Sequence, residues 1–120
     1  MPRPALTHPV LVAGLFLATL LPAQAFEGRY RTLGGSMTIR PAGAGMLKVD
    51  AEIGSRSCVG VISARGRPQG DRLVAEATEY GEICRLEIRR RGRALTVTES
   101  GACTPFHGAN CNYTGTYTPR

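Results

Sequence analysis

The chain lacks several things that would fix a function, and each lack excludes something. Its longest uncharged apolar run, Val10–Leu21, is twelve residues, and a bilayer-spanning helix needs about 20. Aromatic residues make up 6% of the chain, too few for the stacking series that single-strand nucleic-acid binders use. The closest cysteines, Cys103 and Cys111, are separated by seven residues. Structural zinc sites use pairs spaced C-x₂₋₄-C, so no metal is expected. No window repeats apolar residues at i, i+3, i+4 and i+7 over helical length. Beyond residue 25 there is one histidine, His107, with no identifiable Asp partner, and no motif singles out a pair of carboxylates among Glu76, Glu79, Glu82, Glu87 and Glu99. A catalytic triad needs a nucleophile, a base and a group that orients the base. The sequence therefore predicts no enzyme and no cofactor.

What is present begins with a three-part export signal over residues 1–25. Arg3 supplies the positive start, Val10–Leu21 the apolar region, and Ala23-Gln24-Ala25 a small-x-small cleavage site before Phe26. Residues 26–120 then form a single domain of 95 residues with no stable membrane anchor, located in the periplasm or secreted. Of the 15 basic residues, Arg3 leaves with the signal, so 14 basic and 9 acidic residues give a mature net charge of +5. Lys48 is the one lysine; the other bases are arginine. A chain of this size buries only about 60–65% of its extended surface and is marginally stable. Cys58, Cys84, Cys103 and Cys111 are accordingly expected to form two structural disulfides in an oxidising compartment.

Nearly everything after Phe26 alternates with a period of two. Leu47, Val49, Ala51 and Ile53 share one face, and Lys48, Asp50 and Glu52 the other. Cys84, Leu86 and Ile88 alternate with Arg85, Glu87 and Arg89. This is the pattern of half-buried antiparallel strands. Glycine-rich turns divide it into about eight, over 27–32, 36–41, 46–53, 57–64, 72–78, 83–90, 94–100 and 112–118. The expected fold is all-β, a small antiparallel up-and-down barrel, with a β-sandwich as the alternative. Closure would pair Gly28-Arg29-Tyr30 with Gly115-Thr116-Tyr117 and remove the sheet edges.

In such a meander all four cysteines gather at one end. The pairing preferred here is Cys58–Cys84 and Cys103–Cys111, because the latter closes a short local loop; four cysteines allow three connectivities. That loop, Thr104–Asn110, is the first candidate binding site, with Phe106 as an apolar anchor and His107 and Asn110 as hydrogen-bonding groups. The opposing reading is a plug in which Phe106 caps the barrel. The second candidate is the arginine cluster Arg85, Arg89, Arg90, Arg91 and Arg93, led by Arg85 and Arg89 on the solvent face. It suits an acidic glycan, lipopolysaccharide phosphates or another anionic surface. The expected partner is thus an extracytoplasmic protein or an anionic glycan, and not nucleic acid.

The tail CTPFHGANCNYTGTY, residues 103–117, has the form C-x₇-C-x₃-G-x-Y. In this it resembles the endings of a group of small exported bacterial β-barrel proteins. The signal, the 95-residue all-β domain and the stapling disulfides also resemble periplasmic lysozyme inhibitors, small barrels that insert loops into a lysozyme cleft. Ser100-Gly101-Ala102 is similar to the Ser-Gly-rich loop of some of them. The departures are that this run meets Cys103 directly and that the chain is basic, whereas a partner of basic lysozymes is expected to be acidic or neutral. The resemblance implies a non-enzymatic module that binds protein.

Overall fold

Inward apolar and outward polar positions, punctuated by glycine turns, produce a closed barrel in the computed structural model, which describes residues 25–120. The export signal expected over 1–25 therefore lies outside the described residues, Ala25 apart. Eight strands follow in order: β1 (Gly28–Thr32), β2 (Gly35–Gly43), β3 (Met46–Gly54), β4 (Val59–Gln69), β5 (Arg72–Glu79), β6 (Glu82–Arg91), β7 (Ala94–Gly101) and β8 (Gly115–Pro119). Each is antiparallel to its neighbours, and β8 returns to β1 through Tyr30 opposite Pro119 and Arg31 opposite Thr118. The architecture is the up-and-down barrel, not the sandwich.

Two expected breaks are strand instead. Arg65–Gln69 extends β4, and the turn shrinks to Gly70-Asp71. Gly66 makes this possible: its Cα lies against the Val74 carbonyl, where any side chain would collide. Pro41 continues β2 through a bulge between Pro41 and Gly43, a place where a missing N–H is tolerated. Conversely, β8 starts at Gly115 rather than 112, because residues 102–114 cross the barrel end before the chain rejoins the sheet.

The up-and-down order gives the barrel two unlike ends. One holds Leu33-Gly34, Ser55–Cys58, Tyr80-Gly81 and the crossing segment 102–114; it is called the cysteine end below. The other holds Phe26, Ala44-Gly45, Gly70-Asp71, Gly92-Arg93 and Arg120. Between them the interior is filled by side chains, among them Met37, Ile39, Val49, Ile62, Leu73, Leu86, Ile88, Leu95 and Tyr117. Eight strands enclose just enough room for such packing. Phe26 and Phe106 close the two ends, and each is held the same way: Tyr30 donates its hydroxyl to the Phe26 carbonyl at 2.9 Å, and Tyr113 donates to the Phe106 carbonyl at 2.6 Å. Burial pushes both phenols' pKa values up.

Candidate functional site

The cysteine end is built by β6 and β7. Their register puts Cys84 opposite Gly101, and Ala102 N–H donates to the Ile83 carbonyl, continuing the pairing. Two residues past Gly101, Cys103 meets Cys84 with the Cα atoms 4.6 Å apart. The remaining pair, Cys58 and Cys111, joins the start of β4 to the far side of the crossing segment, Cα to Cα 5.9 Å. The local pairings Cys58–Cys84 and Cys103–Cys111 are therefore not formed. Strand register, not loop length, decides which sulfurs meet. All four cysteines do gather at one end, and the two disulfides place the folded chain in an oxidising, extracytoplasmic environment.

Tied down on both sides, residues 103–111 plug the barrel rather than project from it. Thr104–Phe106 form a single 3-10 turn, and Phe106 points inward with 9% of its surface exposed. His107 then bridges to Gly60 of β4, and Gly108 N–H donates to the Val59 carbonyl at 3.2 Å. Gly60 is required there: a Cβ would lie 2.6 Å from the His107 Cβ and 2.7 Å from the Phe106 carbonyl oxygen.

The plug is anchored by a residue the sequence did not single out. Glu99, near the end of β7, accepts from His107 Nε2 at 2.7 Å and from the Tyr113 backbone N–H at 2.8 Å. The other His107 nitrogen, Nδ1, faces the Gly108 carbonyl at 2.6 Å. Facing an ionised Glu99, both ring nitrogens look at acceptors, an arrangement that the doubly protonated ring satisfies. Burial opposes that charge, but the hydrogen bonds to Glu99 and Gly108 and the nearby carboxylate outweigh it, raising the His107 pKa above the ordinary histidine value. Burial and the same carboxylate push the Tyr117 phenol up to about 12, and its hydroxyl donates to the Tyr113 carbonyl at 2.9 Å. The sequence offers His107 no identifiable Asp partner; in the structure its partner is a glutamate, Glu99. Through the pair and the Tyr113 N–H, Glu99 ties the plug to β7.

Of the expected binding residues, Phe106 and His107 are thus inside the plug. Asn110 is exposed and lines a groove of about 310 Å³ with Thr32, Leu33, Ile53, Asn112 and Thr114. Arg85 and Arg89 are on the outer wall as expected, but each faces a carboxylate. Arg85 Nε lies 2.7 Å from Glu76, and Arg89 lies 3.7 Å from Glu87, which also pairs with Arg72 at 2.6 Å. Exposed ion pairs stabilise little, but they offset most of the positive charge of these three arginines.

Alternation alone would have found other surface residues. Cys58, Gly60, Ile62 and Ala64 face inward, so Val59 and Val61 face water, 72% and 67% exposed. Leu33, Tyr80 and Ile83 complete the exposed large apolar side chains among the described residues. All five lie at the cysteine end. Tyr80 is there at a conformational cost, because its φ of +53° in the β5–β6 turn is one that glycine or asparagine adopts more readily. Compared with protein-family models, with curated proteins and with solved structures, the chain matches none.

Proposed function

We propose that this chain is an exported, non-enzymatic binding module that presents the cysteine end of its barrel to a protein partner in the periplasm or outside the cell. One observation carries the reading. Every exposed large apolar side chain among the described residues sits at that end, around a plug fixed by two disulfides. These side chains ring the end, Leu33 and Tyr80 lying four strands apart, which suits a partner that covers the whole end, and a rigid support lowers the entropy lost on binding. Leu33 at the β1–β2 turn, wholly exposed, and Asn110 across the groove from it provide an apolar anchor beside a hydrogen-bonding group. Phe106 and His107 act behind this surface by holding it in shape.

The test is a double variant, Leu33→Asp with Val61→Asp. Both positions face water, so the fold and its melting temperature should be preserved. Loss of the partner captured by wild type from a periplasmic extract supports the reading; undiminished capture moves binding elsewhere. Lysozymes are the partners implied by the resemblance to periplasmic inhibitors. A turbidity assay with several lysozyme classes tests them directly, and no inhibition of any removes that identity while leaving the binding surface to be matched to another protein.

A further inference from the structure

The opposite end of the barrel is chemically unlike the cysteine end. We propose that it holds a separate site for a phosphoryl anion, in the groove between the start of β1, the β6–β7 turn and the end of β8. Arg29, Arg90, Arg93 and Arg120 line this groove of about 280 Å³, together with Tyr30, and Glu27 is the one acidic residue in its lining. Arg120 N–H donates to the Arg29 carbonyl at 2.9 Å, setting these two residues side by side across β1 and β8. Arg90 occupies an inward position, in phase with Leu86 and Ile88. Its Nε donates to the Gly92 carbonyl at 2.8 Å, which ties its guanidinium to the β6–β7 turn. Arg93 flanks both this groove and an adjoining depression lined by Arg91, Ala94, Thr118 and Pro119.

Arg40, Arg72, Arg85 and Arg89 of the barrel wall each face a carboxylate, whereas Arg29, Arg90, Arg93 and Arg120 make no ion pair among the described residues. What sets the groove apart from other unpaired wall arginines, such as Arg31 and Arg65, is that its arginines gather in one concavity. Even with Arg120 left out of the count, three guanidinium groups face one carboxylate. A concave site with uncompensated charge of one sign draws the opposite charge. The geometry selects the kind of anion. Several guanidinium groups around one groove suit a multiply charged group with three or more acceptor oxygens, which a phosphoryl group supplies. The site is independent of the apolar surface proposed above and shares no residue with it.

The experiment titrates the folded chain with inorganic pyrophosphate at low ionic strength, followed by amide chemical shifts. Saturable shifts centred on Tyr30, Arg93 and Arg120 are expected. The variant Arg29→Gln with Arg93→Gln, two exposed positions, should bind about tenfold more weakly. The variant Arg85→Gln with Arg89→Gln should bind as wild type does. Absence of saturation, or equal weakening by both variants, overturns the site. Two sources could supply the anion, and vesicles of phosphatidylcholine with and without phosphatidylglycerol separate them. Sedimentation with the anionic vesicles that pyrophosphate reverses assigns a lipid headgroup. Pyrophosphate binding without sedimentation assigns a soluble phosphate ester. Sedimentation abolished by the Arg85/Arg89 variant and kept by the Arg29/Arg93 variant overturns the proposal in favour of the wall.

Discussion

Replacing Glu99 by glutamine should reverse the pH dependence that His107 contributes to stability. In the wild-type barrel the charged ring donates to Glu99 at 2.7 Å and to the Gly108 carbonyl at 2.6 Å, with the histidine and glutamate side chains only 9% and 14% exposed. Because the folded pKa is raised above an unfolded value of about 6.5, this contribution is complete below that value and disappears as pH rises through the folded pKa. Glutamine keeps an oxygen for the Tyr113 N–H but turns its amide nitrogen toward the ring. That nitrogen donates to a neutral His107, whose other nitrogen still donates to Gly108, and it opposes a charged one. The variant is therefore satisfied at high pH and loses stability as pH falls. At pH 5 it forfeits a charge-assisted hydrogen bond and leaves a half-buried N–H without a partner, together about 2–4 kcal/mol. For a domain of this size that is a melting temperature roughly 10–25 °C lower. At pH 8.5 the two proteins should agree to within about 1 kcal/mol, since the variant loses no hydrogen bond to the neutral ring. Thermal unfolding followed by circular dichroism from pH 5 to 8.5 measures this, and taking the difference between the proteins cancels every group other than this pair. Parallel curves would refute the assignment of a doubly donating His107. Glu99→Ala, which abandons both donors, should be destabilised at every pH.

Further expectations concern the plug and, as a control, Gly54 at the end of β3. Non-reducing peptide mapping should recover Cys58 joined to Cys111 and Cys84 joined to Cys103. Their separations of 53 and 19 residues correspond to loop-closure contributions of about 4 and about 3 kcal/mol, so Cys58→Ala/Cys111→Ala should lower denaturant stability more than Cys84→Ala/Cys103→Ala. Gly60→Ala, whose new methyl group would press on the Phe106 carbonyl and the His107 Cβ, should cost about 1–3 kcal/mol in denaturant unfolding. Gly54→Ala, with its nearest contact at an ordinary 3.9 Å, should change stability by less than about 0.5 kcal/mol.

The strands and their closure were legible because period-two alternation is a local signal that every strand here carries. Leu47 to Ile53 and Cys84 to Ile88 face inward as their spacing requires. Loop closure, a property of the unfolded chain, favours the local pairing, whereas register, a property of the sheet, decides which sulfurs meet. Counting outward from the turn at Gly92-Arg93 places Cys84 opposite Gly101 and so beside Cys103, and Cys58–Cys111 follows by elimination. Glu99 carried a comparable signal: it is in phase with Leu95 and Val97, an inward carboxylate at a strand end. Nothing local, however, says that the segment after Cys103 folds back to meet it, because that contact depends on both disulfides at once. At Pro41 and Arg65–Gln69 the glycine and proline signal does not end the strand, since these residues mark turns only where the sheet has no bulge or close crossing to use them.

The same alternation explains why the two ends came to differ. Arg90 and Glu99 both ride on inward-phase positions, where the barrel interior would reject a charge, and both avoid that cost by lying at strand ends where the interior gives way to a rim. Glu99 finds partners in the plug and its charge is consumed in holding it, which leaves the cysteine end a rigid surface that carries all the exposed large apolar side chains of the described residues. Arg90 has no plug above it. Phe26 seals the interior beneath, the β6–β7 turn takes its Nε, and the rest of its guanidinium remains at the mouth with Arg29 and Arg93. An inward-phase charge that is matched builds structure, and one left unmatched at a rim is available for a ligand. On that distinction the cysteine end suits a protein surface and the arginine end an anion, and the two should be separable by mutation without either variant disturbing the other's binding.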